Sequence, residues 1–222
     1  SPEHGFVSPA VFIPIAEESD LIDELGEWVV DRALEDCRSW PGLFVSINFS
    51  PRQFKRANFV EWLNARVERA GIAPRNVQIE ITETTIFEDV DWAAKVLQQL
   101  QDQGYRVALD DFGTGYSSLF NIKSFSLNCI KIDKSFIEGL GHDRHSAAIV
   151  SSVVHLARAL GLHIVAEGVE TEEQCQMLRV TGCSHMQGYL FGRPVSMDEA
   201  TRHVESAWGE RDAVWHPAAI GE

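Results

Sequence analysis

The chain contains no C-x-x-C pair and no Cys/His spacing of the kind that holds zinc; its only cysteines are Cys37, Cys129, Cys175 and Cys183. That excludes a zinc ribbon or a thioredoxin-like redox motif. It leaves free thiols, buried or half-buried, in a protein kept in a reducing compartment. No apolar run approaches the roughly 18–20 residues of a membrane span, so direct membrane insertion is not expected of this segment. The opening SPEHGFVSPAVFIPIAEE lacks the basic n-region and apolar core of a signal peptide, and with no initiating Met the chain reads as the middle of something longer. Positive charge is scarce: 19 Lys+Arg against 33 Asp+Glu give a formal charge of −14 over 222 residues. A nucleic-acid polymer needs a basic footprint that is not there. An anionic small ligand is still admissible, because acids gathered in one pocket recruit metal ions that reverse the local field. Low-complexity linkers and short repeats are absent too. With 45% hydrophobic residues the chain is too apolar for disorder. The expectation is a soluble, cytoplasmic module of one barrel-sized domain, or at most two small ones.

What is present is an alternation of short β-branched runs with amphipathic stretches. Strands are expected at Leu43 to Asn48, Val77 to Thr82, Arg106 to Asp110, Asn128 to Asp133, Leu162 to Glu167 and Ser184 to Phe191. Ser19 or Asp20 is placed to cap a helix from Leu21 to Cys37, with Leu21, Leu25, Val29 and Leu34 near one face. Further helices fit Phe59 to Ala70, Val90 to Gln103 and Ser146 to Leu160. Thr171 to Gln174 and Ser196 to Glu199 match the capping-box pattern at two later helix starts. Strand–helix repetition at this spacing predicts a parallel α/β sheet. Six βα units suit an open doubly wound sheet as it stands, whereas a closed β/α barrel uses eight strands. The pattern alone leaves both open.

The polar residues discriminate further. Nearly every expected strand ends in one: Asn48, Glu80, Asp110 with Asp111, Lys131 with Asp133, Glu167 and Gln187. In parallel α/β folds all those ends open on one rim, where active sites are built. Period-two alternation puts Gln78, Glu80 and Thr82 on one face and Val77, Ile79 and Ile81 on the other; Cys129, Lys131 and Asp133 likewise oppose Ile130 and Ile132. An open sheet needs apolar cover on both faces, so a barrel with a polar upper interior accounts for this better. Taken singly, Asn48 or Gln187 reads as a loop cap, Lys131 or Asp133 as a salt-bridge partner, and Glu83 or Glu170 as a helix-start acid. Asp110 and Asp111 differ, because two adjacent carboxylates at the end of an apolar strand repel unless a cation or proton intervenes. An oxygen-rich donor set, with His185 the one exception at the strand ends, points to magnesium or manganese rather than zinc. An acidic pocket holding one lysine suits hydrolysis of a phosphodiester. Lys131 would orient the attacking water or balance charge in the transition state. Gly113 and Gly115 follow directly, in a G-x-G loop without the spacing of a dinucleotide fingerprint.

These residues lie in FIPIAEESDLI, SINFSP, IEITET, ALDDFGTGYSSL, IKIDKSFI, IVAEGVET and MQGYLFGRP, a co-linear series running to about Pro194. In that series the chain resembles the EAL-domain phosphodiesterases, which open the bacterial second messenger cyclic di-GMP to linear pGpG. The resemblance implies a TIM-like barrel with its site at the C-terminal rim. It implies that Asn48, Glu80 and Asp110 hold a first metal, with Asp110 bridging to a second that Asp111 also ligates. Lys131 would be the catalytic-water or phosphate lysine, Glu167 the general base or water holder, and Gln187 a supporting water or metal-shell contact. Glu83 would anchor the glycine loop and so link dimerisation to metal binding. Asp133 would be a pocket residue, with Phe191 and Pro194 near a guanine base.

One departure matters. The family's Glu-Ala-Leu motif stands on an early strand just before a segment like SPEHGFVSP, and neither that strand nor the one before it is in this sequence. The resemblance therefore implies an N-terminally truncated barrel, residues 1–207, lacking one first-metal ligand, with residues 208–222 as a tail or linker. Asp20, where a glycine is common, is a lesser difference. The expected function is Mg2+- or Mn2+-dependent hydrolysis of cyclic di-GMP by a homodimer within a multidomain signalling protein, although the fragment alone lacks part of its site. The alternative from another class is a non-catalytic cyclic di-GMP receptor; a structural domain without nucleotide binding is opposed by the retained acids.

Overall fold

The computed structural model describes residues 5, 7–113, 122–123 and 125–209. Gly115 with the rest of the glycine-loop motif after Gly113, and the expected tail from 210 onward, lie outside the described residues. Helices α1 (Pro9–Glu18) and α2 (Leu21–Cys37) lead into β1 (Val45–Asn48), α3 (Pro51–Phe54) and α4 (Phe59–Ala70). Then follow β2 (Val77–Thr82), α5 (Glu83–Glu88), α6 (Val90–Asp102) and β3 (Arg106–Phe112). The remainder is β4 (Cys129–Ile132), α7 (Lys134–Glu138), α8 (Arg144–Ala159), β5 (His163–Ala166), α9 (Glu172–Thr181), β6 (His185–Met186) and α10 (Met197–Gly209).

The six strands form one parallel sheet in the order β1-β2-β3-β4-β5-β6. A doubly wound sheet reverses its order at a switch point; this one never does, so it is an arc of a TIM-like barrel rather than an open Rossmann-type sheet. Its outward residues, Val77, Ile79, Ile81, Val107, Leu109, Ile130, Ile132 and Ile164, are buried in the main core with Leu63 of α4, Leu97 and Leu100 of α6 and Val154 of α8. Among the described residues no helix is long and apolar enough to cross a membrane. All four cysteines are free and buried.

Local chemistry sets the element ends. Thr171 and Gln174 make the expected capping box, and Gly71 closes α4 in the left-handed conformation that glycine adopts without penalty. Ser196 Oγ accepts from Glu199 N–H at 3.4 Å, half of the box expected there. Two expectations need correction at α2. Neither Ser19 nor Asp20 caps it: Ser19 Oγ turns back to the carbonyls of Ile15 and Ala16, and Asp20 pairs with Arg52. Its buried stripe is Ile22, Val30, Leu34 and Cys37, with Leu21 exposed. The cause is α3, whose Gln53 donates to the Ile22 carbonyl and lies where a side chain on Gly26 would be. The last strand is shorter than Ser184 to Phe191. At Gly188 a Cβ would fall 2.2 Å from the Val169 carbonyl oxygen, and the chain turns there with Phe191 N–H donating to Gly188 O.

Candidate functional site

Inward positions of β2, β3 and β4 carry Glu80, Asp110 and Lys131, Asp110 one inward step further along than Glu80, and Glu167 follows directly after β5. Asn48 pairs with Glu80, Thr82 with Asp110, and Lys131 with Val165. At the centre is the Lys131 ammonium, 2.6 Å from Glu80 Oε2, 3.0 Å from Asp110 Oδ2 and 2.7 Å from Glu167 Oε1. Lys131 and Glu80 are each 5% exposed and Asp110 7%, so these are buried charges that must be paired to be tolerated. Burial works against the charge on Lys131, but Glu80 and Asp110 beside it, with hydrogen bonds to Glu167 and Glu80, hold its pKa above the ordinary lysine value. Cys129, one step along the same inner face, is a thiol that burial pushes up to about 12, which makes it unreactive.

A regular strand would send Asp110 and Asp111 to opposite faces. Here the β3–β4 register shifts between Leu109 and Phe112, which face Ile130 and Ile132, so one extra residue is accommodated. Asp111 takes φ +52°, the only positive value among described non-glycine residues, and its N–H donates to Asp110 Oδ1 at 2.9 Å. This bulge re-aims Asp111 toward the rim. As a result Asp110, Asp111 and Glu167 each offer a carboxylate oxygen within 4.8 Å of the others. Burial first, then Asp110 and Asp133, push the Asp111 pKa up; Lys131 opposes them. Glu167 is raised by burial, with Asp110 and Glu80 adding to the effect and its bond to Lys131 opposing it. Asp133 caps α7, and although burial opposes it, hydrogen bonds from Ser135, Asp111 and the Lys134 N–H hold its carboxyl below the usual range. Three converging carboxylates served by a single ammonium are short of positive charge. Their all-oxygen donor set fits a hard divalent cation.

Of the residues read from the sequence, Glu80, Asp110, Lys131 and Glu167 are in direct contact, and Asp111 and Asp133 adjoin them. Glu83 opens α5 almost wholly buried, and its Oε2 accepts the Gly113 N–H at 3.1 Å. At Gly113 the backbone has φ +101° and Phe136 leaves no room for a Cβ. Asn48 is on edge strand β1 and exposed. Gln187 is also exposed; it lines a cleft of about 240 Å³ with Glu167, Lys134, Glu138, Glu170 and Tyr189. Phe191 lines a different pocket, with Arg179, Cys183, Ser184 and Met186, and Pro194 is exposed. Strand alternation puts Gln78 on the inner face but gives it no role, whereas in the fold its Nε2 lies 2.9 Å from Ser46 Oγ and 3.2 Å from Glu80 Oε1. The cleft wall of Lys134, Glu138 and Tyr189 carries no motif of its own, and only its proximity to strand ends could have signalled it.

Comparison with known proteins gives a consistent picture. The family model described as EAL domain matches residues 1–194. The bifunctional diguanylate cyclase/cyclic di-GMP phosphodiesterase MucR of Pseudomonas aeruginosa is 41% identical over 208 residues, covering 91% of this chain and 30% of MucR. An uncharacterized signaling protein of Caulobacter vibrioides is 42% identical over 201 residues, covering 90% of this chain and 25% of that protein. A solved structure of the PaMucR phosphodiesterase in complex with c-di-GMP superposes with a TM-score of 0.88 at 41% identity, covering 90% of this chain and 83% of that one. The chain thus spans less than a third of these curated relatives.

Proposed function

This chain belongs to the EAL domain family, and from that premise we propose that it hydrolyses one phosphodiester bond of cyclic di-GMP to give linear pGpG. The observation that carries the reading is the meeting of Glu80 of β2, Asp110 of β3, Lys131 of β4 and Glu167, which directly follows β5, in one hydrogen-bonded cluster. Support comes also from relatives described as acting on, or solved with, that dinucleotide.

In this reading Asn48, Glu80 and Asp110 hold one Mg2+ or Mn2+, and Asp110 with Asp111 a second. Bound there, the two ions supply charge neutralisation at the phosphate and a water acidic enough to attack it at neutral pH. The chain's own groups do the rest. Lys131 spends its N–H donors on Glu80, Asp110 and Glu167, which keeps three carboxylates aimed at one point and offers a cation where negative charge develops. Glu167, raised by burial, is the carboxylate best matched to taking a proton from the attacking water at its Oε atoms. Gln187 lines the cleft beside it and holds water or substrate there, while Asp133 fixes the edge of the pocket. Phe191 and Pro194 supply apolar contact for a guanine. Glu83 holds Gly113 and through it the start of the glycine loop. We further read residues 1–207 as the phosphodiesterase domain and 208–222 as tail, in a cytoplasmic, homodimeric, multidomain signalling protein.

The test is turnover of cyclic di-GMP with Mg2+ or Mn2+, followed by chromatography of pGpG. Asp110→Ala should abolish product, since it removes the ligand common to both cations. Glu167→Gln should slow hydrolysis by orders of magnitude while leaving dinucleotide binding largely intact. Binding without turnover in a protein that carries the Glu-Ala-Leu glutamate ahead of this segment would instead assign a receptor role.

A further inference from the structure

Glu80 is held from two sides. Its Oε2 takes the Lys131 ammonium at 2.6 Å, and its Oε1 takes an N–H of the Gln78 amide at 3.2 Å. The other N–H of that amide goes to Ser46 Oγ at 2.9 Å, on the neighbouring strand. Gln78 is 8% exposed and lies one inward step below Glu80 on β2, level with Ser46 of β1. The amide orientation is fixed by chemistry: turned over, its oxygen would face a carboxylate oxygen, acceptor against acceptor. The side chain is therefore obliged to present its NH2 group to Glu80.

We propose that Gln78 is a positioning residue that sets the carboxylate of Glu80 for cation binding. This rests on the reading of Glu80 as a metal ligand. Without Gln78, the Glu80 carboxylate can swing both oxygens onto Lys131, closing an ion pair that competes with the divalent ion. Partners that orient a ligating group from outside the coordination sphere commonly change metal affinity by about 10- to 100-fold when removed. The bond to Ser46 acts differently, tying edge strand β1 to β2, so the two halves of the bridge are separable.

The experiment is Mn2+ titration of the substrate-free chain, by calorimetry and by electron paramagnetic resonance of free Mn2+, alongside thermal unfolding. Gln78→Met and Gln78→Leu both remove the donor at different side-chain shapes, and each should weaken Mn2+ binding about 10- to 100-fold. Saturating Mn2+ should then recover most of kcat, because the chemistry itself is unaltered. Ser46→Ala keeps the contact to Glu80 and should lower the melting temperature while leaving Mn2+ affinity within about twofold, a small surface-type effect. Mn2+ binding by both Gln78 variants within about twofold of the parent overturns the proposal, as does Ser46→Ala weakening Mn2+ as much as they do. A parent chain whose Mn2+ affinity is unaffected by Asp110→Ala would overturn the metal reading itself, which is a distinguishable failure.

Discussion

Ile130 and Lys131 are neighbours on β4 and both are buried, yet they belong to opposite kinds of wall. Ile130 faces outward into the shell of helices; Lys131 faces inward to three carboxylates. On the outer wall burial is non-directional, and each side chain contributes by the area it removes from water. On the inner wall no group is stable alone. Glu80 is tolerable there because Lys131 is present, and Lys131 because of the acids around it. The barrel arc thus keeps its stability on one face of each strand and its chemistry, held together by mutual compensation, on the other.

Two substitutions at this pair would break or sharpen the contrast. Lys131→Met leaves Glu80 and Asp110 buried without their cation and should cost about 3–5 kcal/mol of unfolding free energy, with hydrolysis lost. Ile130→Ala opens a cavity in the helix-covered wall and should cost about 2–5 kcal/mol. The sizes overlap, so the discriminating measurement is urea denaturation with and without Mn2+. The ion should restore part of the loss in Lys131→Met, by replacing the missing positive charge, and no more than its ordinary ligand stabilisation in Ile130→Ala. Equal restoration in both would show the inner wall to be just another packed core.

The outer wall was the more legible in sequence. Val77–Thr82 has the bounds read from its alternation, and the helices Leu21–Cys37 and Phe59–Ala70 have the bounds expected of them, although α2 uses neither the cap nor the full apolar stripe that suggested it. Which acids gather was also readable, because strand ends converge in any parallel barrel. How they gather was not. Adjacent aspartates on a strand should diverge, and only the bulge with Asp111 in the left-handed region brings both to one side; nothing in the order Asp110-Asp111-Phe112 announces it. Nor does composition reveal that Gln78 would spend its amide on Glu80, or that contact with α3 would turn α2 so that Ile22 goes inward. Such details are fixed by packing between distant segments, for which local propensity is a weak guide.

A smaller effect is expected at the bulge. Asp111→Gly relieves a left-handed side-chain conformation and the repulsion from Asp110, which together outweigh the hydrogen bond to Asp133 that it loses. The metal-free chain should become more stable by about 1 kcal/mol. Mn2+ binding should weaken in the same variant, which would identify the strain as stored for the site. Denaturation in EDTA and Mn2+ titration read the two effects separately; a loss of stability in EDTA would mean that Asp111 serves the fold.

The smallest effect concerns a titratable group on the outer side, Tyr105. It is buried, its hydroxyl donates to Asn64 Oδ1 of α4 at 2.8 Å, and burial pushes the phenol above its ordinary pKa. Because the folded value lies above the unfolded one, the contribution is fully present below about pH 10, where an unfolded tyrosine begins to ionise. It is lost as pH rises from there toward the folded pKa, since in that interval the unfolded chain has released the proton and the folded chain still holds it. Tyr105→Phe should therefore cost only about 0.5–1.5 kcal/mol at pH 8, the net worth of one hydrogen bond. The variant should also flatten the fall in stability above pH 10. Denaturation curves at pH 8, 10 and 11 would test this, and parallel losses in both proteins would mean that the phenol ionises in the folded state without resistance from the wall around it.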